Sequence, residues 1–594
     1  MSAISRSTTN NATAPVDRMG ATRNRFRHLA RLPDWLPLLV IWVFAFALRL
    51  FLSQTDRVVW GDEPFYLWLG RNWIAGQGYA FVGHPDVHHG PFFPWLAGML
   101  YLVTRDLALA SELLYALFGS LLVLPMHALG KELYDRRTGL ATALLVAVLP
   151  ALTVATLHWG TMTEPIYLVF VYLGLWAGTI ALRRAWLALR LPTNASISRD
   201  PWWAYGLAGL AFGVAYLTRP EAIAYFGVIG GFILLVRAPL GDWRSGRLWL
   251  QLLLYALGFG LCFLPYAYYV RQHTGSWMVS EKVGVAYLTG IGLAHGDTAA
   301  FDRATWGLDS TGLETFFFSS ESYNVSMLSL ILGDPKTFAQ ILYLNAKRFA
   351  RVFIDWTMFP YALLPLAFLG LFGRAWTRER TLKEIYLFLS ATPVLGFILF
   401  YIQARYLVPF VPVFLLWTAH GLGRFSDWLT ATIVELGTGT QAGMAERVYR
   451  TLSSGWQRAL EIGPALLVVI LLLGAYPHVS REVTQVGSFR PAHRAVGEAL
   501  AKRLPRDTVL MCRYPAIAFH ADAHWVPTPN ASLEAVTTYA RHKGVQYWAI
   551  DERELRYRPQ FAQLVTGEET VTGWELFYVD DSGKERLVVY QFVE

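Results

Sequence analysis

The sequence predicts a polytopic α-helical membrane protein of about 11 transmembrane helices that ends in an extracytoplasmic α/β domain. Of its 594 residues, 54% are hydrophobic and only 16% are charged, whereas about a quarter of the residues in a soluble protein are charged. Apolar runs long enough to cross a bilayer recur along most of the chain. The last 115 or so residues instead mix short strand and helix patterns, which predicts a small folded domain.

The membrane part is predicted from apolar runs that approach the roughly 20 residues a spanning helix needs. The candidate spans are 34–53, 107–130, 138–157, 163–182, 203–217, 222–236, 248–270, 352–373, 384–402, 406–422 and 462–477. The chain then divides into a polar, disordered cytoplasmic tail at 1–33, a transmembrane domain at 34–478 and an extracytoplasmic domain at 479–594. Two long outer loops, 54–106 and 271–350, interrupt the transmembrane domain.

The distribution of basic residues predicts the orientation. A cluster of arginines precedes the first span, so the positive-inside rule places the N-terminus in the cytoplasm. Loops on that side, such as 183–202 and 374–383, are rich in Lys and Arg, whereas the short outer loops contain only Arg219 and Arg405. The net charge of +8 is therefore a topology signal, and no nucleic-acid partner is expected. We expect a multi-pass protein of the plasma (inner) membrane, with its C-terminus and its active site outside.

Shorter elements are predicted in the outer segments and in the C-terminal domain. The expected helices are 64–75, 91–104, an interfacial helix at 336–350, and Leu533–His542 after the N-cap residue Ser532. The expected strands are Thr508–Cys512, Val545–Ile550, Leu576–Val579 and Leu587–Phe592, the last two joined by a hairpin turn. Cys262 lies within an apolar run, so no disulfide with Cys512 is expected.

Acids, histidines and arginines gather in the segments that are predicted to lie outside. They are Asp62, Glu63, His84, His88 and His89 in the first outer loop, Glu164 in the second, Arg219 and Glu221 in the third, and Arg405 and Tyr406 where a later span re-enters the membrane. Such groups beside a membrane are costly unless water, a substrate or a metal meets them. The joint pattern therefore favours a functional site.

Each of these residues also has a purely structural interpretation. The alternatives are helix capping by Asp62, Glu63 and Glu164, pairing of Arg219 with Glu221, interface anchoring by Arg405, and ordinary interface positions for the histidines. Their shared side of the membrane is what favours the functional interpretation over these.

The chemistry available to such a set is limited. A carboxylate beside cations suits the attack of an acceptor hydroxyl on a sugar whose leaving group is a lipid phosphate. The carboxylate would remove the hydroxyl proton as the new bond forms. The phosphate departs as an anion and needs positive charge, which arginine supplies through bidentate contacts. A single base without a second nucleophile implies inversion at the anomeric carbon.

These residues resemble those of a known family. The Asp62-Glu63 pair after the first span, the His/Gly-Pro end of the first loop, the acid on the second outer loop, the segment Thr218–Glu221 and the Arg405-Tyr406 segment are together similar to the GT-C glycosyltransferases. Within this group, the chain looks like the branch of dolichyl-phosphate-mannose protein mannosyltransferase-like enzymes, which includes the bacterial aminoarabinose lipid A transferases. The resemblance covers roughly residues 34–425.

The resemblance implies an inverting transfer on the outer face from a polyprenyl-phosphate-linked sugar to the hydroxyl of a protein, a lipid or an envelope glycan. Carried over by position, the resemblance implies that Asp62 is the catalytic base and that Glu63 supports it. It implies that Arg405, with Tyr406 beside it, binds the donor phosphate, and that Arg219, with Glu221 beside it, is a weaker phosphate ligand. Glu164 would place the acceptor.

The histidines are where the chain departs from the family pattern. Some relatives have Lys-Pro-Pro where this chain has His88-His89-Gly90-Pro91, so His89 either replaces a cation or binds a metal. Asp62, Glu164 and His89 would be the ligands of a divalent Mg, Mn or Zn ion. No cofactor is expected to be required.

Two other functions fit the composition. A transporter or flippase of lipid-linked sugars would carry charges deep within its spans, with inverted repeats or broken helices near the midplane. A non-catalytic scaffold of envelope assembly would use the C-terminal domain as its binding module. The gathering of charges at one face favours the enzyme.

Overall fold

The computed structural model of the chain describes most of its length. The described residues are 35–55, 57–160, 162–188, 201–237, 242–244, 246–280, 282–324, 327–438, 454–485, 490–505, 507–567, 571–583 and 585–593. The predicted cytoplasmic tail 1–33 lies outside these ranges, as do much of the predicted loops 183–202 and 423–461.

The described chain is mainly helical up to residue 505. The α-helices of this part are Trp35–Ser53, Glu63–Ile74, Phe92–Thr104, Leu107–Leu121, Val123–Leu133, Arg136–Val148, Val154–His158, Glu164–Ala181, Arg183–Ala188, Trp202–Thr218, Ala222–Arg237, Gly246–Thr274, Lys282–Ala294, Ala300–Trp306, Met327–Gly333, Pro335–Phe353, Leu364–Phe372, Arg378–Leu395, Ala404–Leu407, Val411–Thr438, Ser454–Gly474, Tyr476–Gln485 and Arg490–Ala501. The predicted short helices near 64–75, 91–104 and 336–350 are all present.

Seven helical stretches among the described residues are long and apolar enough to cross a membrane. They are Trp35–Ser53, Leu107–Leu133, Glu164–Ala181, Gly246–Thr274, Arg378–Leu399, Ala404–Thr432 and Ile462–Gln485. Each matches one of the predicted spans, so the membrane class is confirmed. The other four predicted spans coincide with shorter or interrupted helices, and the count of 11 stays a prediction.

The predicted span 138–157 is broken, and the reason is local. The helix Arg136–Val148 stops at Leu149, which precedes Pro150 and takes an extended conformation that proline favours in its neighbour. Arg49, which is fully buried, donates to the carbonyl groups of Val146, Ala147 and Leu152 around this break. The guanidinium thus satisfies backbone oxygens that a continuous helix would have paired internally.

The C-terminal domain is a five-stranded mixed sheet. A two-stranded ribbon in the first outer loop provides β1 (Ala80–Phe81) and β2 (His84–Pro85); the domain provides β3 (Val509–Cys512), β4 (His524–Pro527), β5 (Tyr547–Asp551), β6 (Trp574–Asp580) and β7 (Leu587–Phe592). The order is β4-β3-β5-β7-β6, with β3 parallel to β4 and β5, and β7 antiparallel to β5 and β6. The domain's helices are Pro515–His520, Leu533–His542 and Ala562–Thr566.

The domain confirms most of its predicted elements. The helix Leu533–His542 has the predicted bounds, and the Ser532 hydroxyl caps it by accepting from the Ala535 amide. The predicted hairpin is β6–β7. Strand β4 was not predicted, because four residues that end in proline show no alternating pattern. Cys262 and Cys512 are both free thiols, as expected.

The C-terminal domain packs directly on the outer loops. One buried aromatic cluster joins Phe65 and Phe81 of the first outer loop, Trp306 and Phe318 of the loop 271–350, and Trp525 of strand β4. The rings of Phe65 and Trp525 have centroids 4.9 Å apart, and Phe81 stacks on Trp525 at 5.7 Å. Burial of large aromatic surfaces in one cluster fixes the domain against the segment that carries the candidate acids.

Candidate active site

The candidate site is built around Asp62, whose position depends on two facing glycines. Gly61 and Gly160 both have positive φ angles, 66° and 74°. A Cβ on Gly61 would lie 2.9 Å from the Gly160 carbonyl oxygen, which accepts a 2.9 Å hydrogen bond from the Glu63 amide. Only glycine adopts this conformation without strain and permits such close approach. The second outer segment therefore fixes the turn that presents Asp62.

Asp62 forms an ion pair with Arg405, a pairing that the sequence analysis did not predict. One terminal guanidinium nitrogen of Arg405 lies 3.1 Å from Asp62 Oδ2, and its Nε donates to the Gln403 side chain at 2.9 Å. The Asp62 side chain is 40% exposed, so its carboxylate remains accessible. Asp62 stands at the start of the helix Glu63–Ile74, but its side chain makes no capping hydrogen bond there. Helix capping therefore does not account for this carboxylate.

Glu63, its neighbour, occupies a different environment. Its carboxylate is fully buried, with both oxygens bound by Arg57 at 2.6 and 3.1 Å. The hydroxyl of Ser111 donates to the same carboxylate at 2.5 Å. Arg57 also contacts Glu112 at 3.3 Å. Every contact of Glu63 links it to the protein interior, which suits a role in holding the turn.

Arg219 joins the acids of the second and third outer segments. It donates to Glu164 at 2.9 Å and, through two nitrogens, to Glu221 at 3.2 and 2.9 Å. The Arg219–Glu221 pairing offered above as a structural alternative is thus present, with Glu164 added. The ring of Tyr406 lies between the two arginines, 5.7 Å from Arg219 and 5.3 Å from Arg405. The result is a continuous row of charges from Asp62 to Glu164.

The three histidines of the first loop separate in the structure. His89 donates from Nδ1 to the Asp86 carboxylate at 3.0 Å, and its ring packs edge-on against Tyr66 at 4.8 Å. His88 stacks on Phe317 of the loop 271–350, with centroids 4.0 Å apart. His84 pairs with Glu314 at 2.7 Å, away from Asp62. Of the three, His89 lies close enough to Asp62 to influence its ionisation.

The pKa of Asp62 is set by opposing effects. Burial acts to raise it, but the positive charges of Arg405 and then Lys282 outweigh burial and hold the pKa below its ordinary value. Asp62 is therefore a carboxylate at neutral pH. Burial, the largest influence on His89, lowers the pKa of that imidazole despite Asp86, so His89 is not a permanent cation.

Lys282 is a site residue that sequence reasoning missed. It begins the helix Lys282–Ala294 in the loop 271–350, and its charge acts on both Asp62 and His89. Within the described part of the chain, its ammonium has no hydrogen-bond or ion-pair partner. Nothing in the sequence separates it from the other cations of that long loop, because its role depends on how the loop folds back.

A cavity of about 530 Å³ lies beside this row of charges. Its apolar wall includes Leu293, Ile341 and Phe400, and its basic part is formed by Lys347, Arg348 and Arg351 of the helix Pro335–Phe353. These three cations are exposed and, among the described residues, form no ion pair. Tyr401 lines the cavity and bonds through its hydroxyl, at 3.0 Å, to the hydroxyl of Tyr406. Tyr401 and Tyr406 thus connect the cavity wall to Arg405 and Arg219.

The proposed metal ligands do not converge as arranged here. Asp62 faces Arg405, Glu164 faces Arg219, and His89 faces Asp86. Within the described ranges, no group of three or more His, Cys, Asp or Glu side chains is placed to hold a metal ion together. Carboxylates already neutralised by guanidinium groups form a poor donor set for a divalent cation.

Comparison with known proteins gives a structural likeness. No protein-family model matches the chain, and no curated protein sequence matches it. The archaeal oligosaccharyltransferase AglB from Archaeoglobus fulgidus, in complex with an inhibitory peptide and a dolichol-phosphate, superposes with a TM-score of 0.52 at 15% identity, covering 94% of this chain and 74% of its own. ArnT from Cupriavidus metallidurans bound to undecaprenyl phosphate gives 0.51 at 16%, covering 93% and 97%.

A second structure of the Archaeoglobus fulgidus oligosaccharyltransferase, in complex with Zn and sulfate, gives a TM-score of 0.52 at 14% identity, covering 92% of this chain and 72% of its own. At these identities the likeness shows a common fold and nothing about individual residues.

Proposed function

Because the chain has the fold of the GT-C glycosyltransferases, we propose that it is an inverting membrane glycosyltransferase. It moves a sugar from a polyprenyl-phosphate carrier to an acceptor hydroxyl on the outer face of the membrane. The single observation that carries this proposal is the accessible Asp62 carboxylate 3.1 Å from Arg405. Tyr406 and Tyr401 connect this pair to a cavity that is both basic and apolar.

In this proposal Asp62 is the base. It is ionised at neutral pH and accessible, so it accepts the proton of the acceptor hydroxyl as that oxygen bonds to the anomeric carbon. A positioned base of this kind contributes roughly 10²–10⁴-fold to the rate. Glu63 is buried against Arg57 and Glu164 is buried against Arg219, which leaves Asp62 as the most exposed of these three carboxylates and as the single base of the scheme. The reaction therefore proceeds in one displacement, with inversion.

The donor carrier binds in the cavity. Its isoprenoid chain contacts the apolar wall, and its phosphate meets Arg348, Arg351 and, at the inner end, Arg405. The second terminal nitrogen of Arg405 has no hydrogen-bond partner within the described ranges and is available to the phosphate. Cations at this position stabilise the negative charge that develops on the leaving group. AglB and ArnT, which share the fold, were solved with a dolichol-phosphate and with undecaprenyl phosphate.

The other site residues have supporting roles in this scheme. Some relatives have a lysine in the first loop, where this chain has His88-His89. In this chain Lys282 supplies that positive charge, so His89 need not act as a cation. Glu63 fixes the turn that carries Asp62. Glu164 and Glu221 hold Arg219, and Tyr406 separates the two arginines. No step requires a metal ion bound by Asp62, Glu164 and His89.

The test is transfer by the purified protein in liposomes that contain a polyprenyl-phosphate sugar. We expect Asp62→Asn to lose at least about a hundredfold in kcat, with unchanged expression and melting temperature. Asp106→Asn is the matched control, since it makes the same substitution at the exposed N-cap of the helix Leu107–Leu121, where asparagine caps as well as aspartate. Full activity in Asp62→Asn would reject the proposed base. A flippase would instead move the donor between leaflets without forming product, and a scaffold would tolerate both changes.

A further inference from the structure

The C-terminal sheet has a crevice at the position where sheets of this kind bind ligands. Strands β4, β3 and β5 are parallel, and the chain passes from β3 to β4 on one side and then to β5 on the other. In open α/β sheets, ligands bind outside the carboxyl ends of the strands where the order reverses. Here Arg513 directly follows β3, Asn530 follows β4, and Arg558 follows β5.

In this protein the crevice is occupied by a side chain of the loop 271–350. The carboxylate of Asp302 accepts from Arg513 Nε at 2.6 Å, from Arg558 Nε at 2.9 Å and from the Asn530 amide at 3.1 Å. A further Arg558 nitrogen lies 3.4 Å away. Asp302 lies in the helix Ala300–Trp306, which belongs to the outer loop 271–350 and not to the C-terminal domain.

The set of contacts around Asp302 is that of a carboxylate-binding site. The Asp302 side chain is 3% exposed, and Arg558 is fully buried. Burial acts to raise the pKa of Asp302, but Arg513 and Arg558 outweigh it and hold the pKa below its ordinary value. A buried ion pair is weak support for stability, since desolvation offsets the attraction. The specific geometry of the ion pairs around Asp302 is better explained if they fix the position of the loop 271–350.

Contacts run from Asp302 to the active site. The backbone amide of Asn530 donates to the carbonyl of Trp306, at the end of the same helix, at 2.8 Å. The ring of Trp306 packs on Phe317 at 5.8 Å, and Phe317 stacks on His88 at 4.0 Å. The same loop carries Lys282, whose charge lowers the pKa of Asp62. The ion pairs of Asp302 therefore fix a loop that stacks on His88 and places the positive charge of Lys282 near Asp62.

We propose that Asp302 is an internal ligand of the C-terminal domain, and that this domain positions the loop 271–350 over the active site by binding its carboxylate. Asp302 is a positioning residue, because it touches neither substrate nor the reacting atoms. A site built for a carboxylate accepts a small one from solution once Asp302 is removed, so acetate or formate restores the contact. The effect on transfer rests on the proposed glycosyltransferase function, whereas the binding of acetate does not.

The test compares Asp302→Ala with Asp309→Ala, a second aspartate of the same loop whose side chain accepts hydrogen bonds from Thr311 and Ser319 of that loop. We expect Asp302→Ala to lower kcat/KM by roughly ten- to a hundredfold, mainly through KM for the acceptor. Millimolar acetate or formate should restore part of the loss with saturation. The same anions should raise the melting temperature of Asp302→Ala and not that of the wild type or of Asp309→Ala.

The two readouts separate the possible failures. Absence of an acetate-dependent rise in melting temperature in Asp302→Ala overturns the carboxylate site, whatever the activity. A rise in melting temperature with wild-type kcat/KM overturns the positioning role. If the wild type itself transfers no sugar, the proposed function fails, while the melting temperature still decides the binding claim. Should Asp302→Ala not fold, Asp302→Ser is measured in its place with the same anions, because its shorter side chain also leaves room for acetate or formate between Arg513 and Arg558. The same two readouts then decide.

Discussion

Changing each of the neighbouring carboxylates Asp62 and Glu63 to its amide is expected to affect different properties. Glu63→Gln should lower stability, whereas Asp62→Asn should lower transfer activity. Glu63 is completely buried, and Arg57, its partner, is 2% exposed at the side chain. Removing one charge of a buried pair leaves the other uncompensated and costs about 3–5 kcal/mol. Since a folded protein is stable by only about 5–15 kcal/mol, Glu63→Gln should lose a large part of its stability.

Asp62 is expected to behave otherwise. Its side chain is 40% exposed and that of Arg405 is 19% exposed, so water screens this pair far more than the buried Arg57–Glu63 pair and its contribution approaches that of exposed pairs. Such pairs contribute about 0–1 kcal/mol. Asp62→Asn should therefore melt within a few degrees of the wild type while losing most of its transfer activity.

The assay is the melting of detergent-solubilised protein followed by size-exclusion chromatography after heating, with transfer measured on the same samples in liposomes. Arg57→Gln serves as the matched control for Glu63→Gln, because it breaks the same pair from the other side. Equal melting temperatures for Glu63→Gln and the wild type would refute the structural role of Glu63. A large drop in melting temperature for Asp62→Asn would refute the separation of the two roles.

Three further changes test other parts of the site. Lys282→Gln removes a charge that lowers the pKa of Asp62, so the acid limb of the kcat/KM profile should move to higher pH; an unmoved limb contradicts this assignment. Gly160→Ala adds a Cβ at positive φ against a facing carbonyl and should cost about 1–3 kcal/mol in thermal denaturation. Arg348→Gln together with Arg351→Gln should raise KM for the donor and weaken its salt dependence, with kcat little changed; an unchanged KM would remove the phosphate from the cavity.

The fold could be predicted where local pattern determines it. Long apolar runs identified the stretches that became the seven long helices, and the resemblance to the GT-C fold is confirmed by the solved structures. The span 138–157 was misjudged as continuous, because hydropathy does not register the break at Pro150 or the buried Arg49 that stabilises it.

The candidate site could be predicted as a set of segments and not as a set of contacts. The sequence predicts that Asp62, Arg219 and Arg405 lie on one side of the membrane. The pairing of Asp62 with Arg405, however, depends on how distant helices pack. Glu63 could not be distinguished from Asp62, since their exposures differ only after folding. Lys282 was missed because its effect on Asp62 arises from the return of a long loop, which leaves no local pattern.

The central claim is a base-assisted, inverting transfer from a polyprenyl-phosphate sugar. Its most direct measurement is the anomeric configuration of the product formed by the purified wild type from a donor of known configuration, determined by NMR. Direct displacement with Asp62 as the base yields a product of opposite configuration, and Asp62→Asn is expected to form none. A product that retains the configuration of the donor would contradict it, because that outcome requires a second nucleophile.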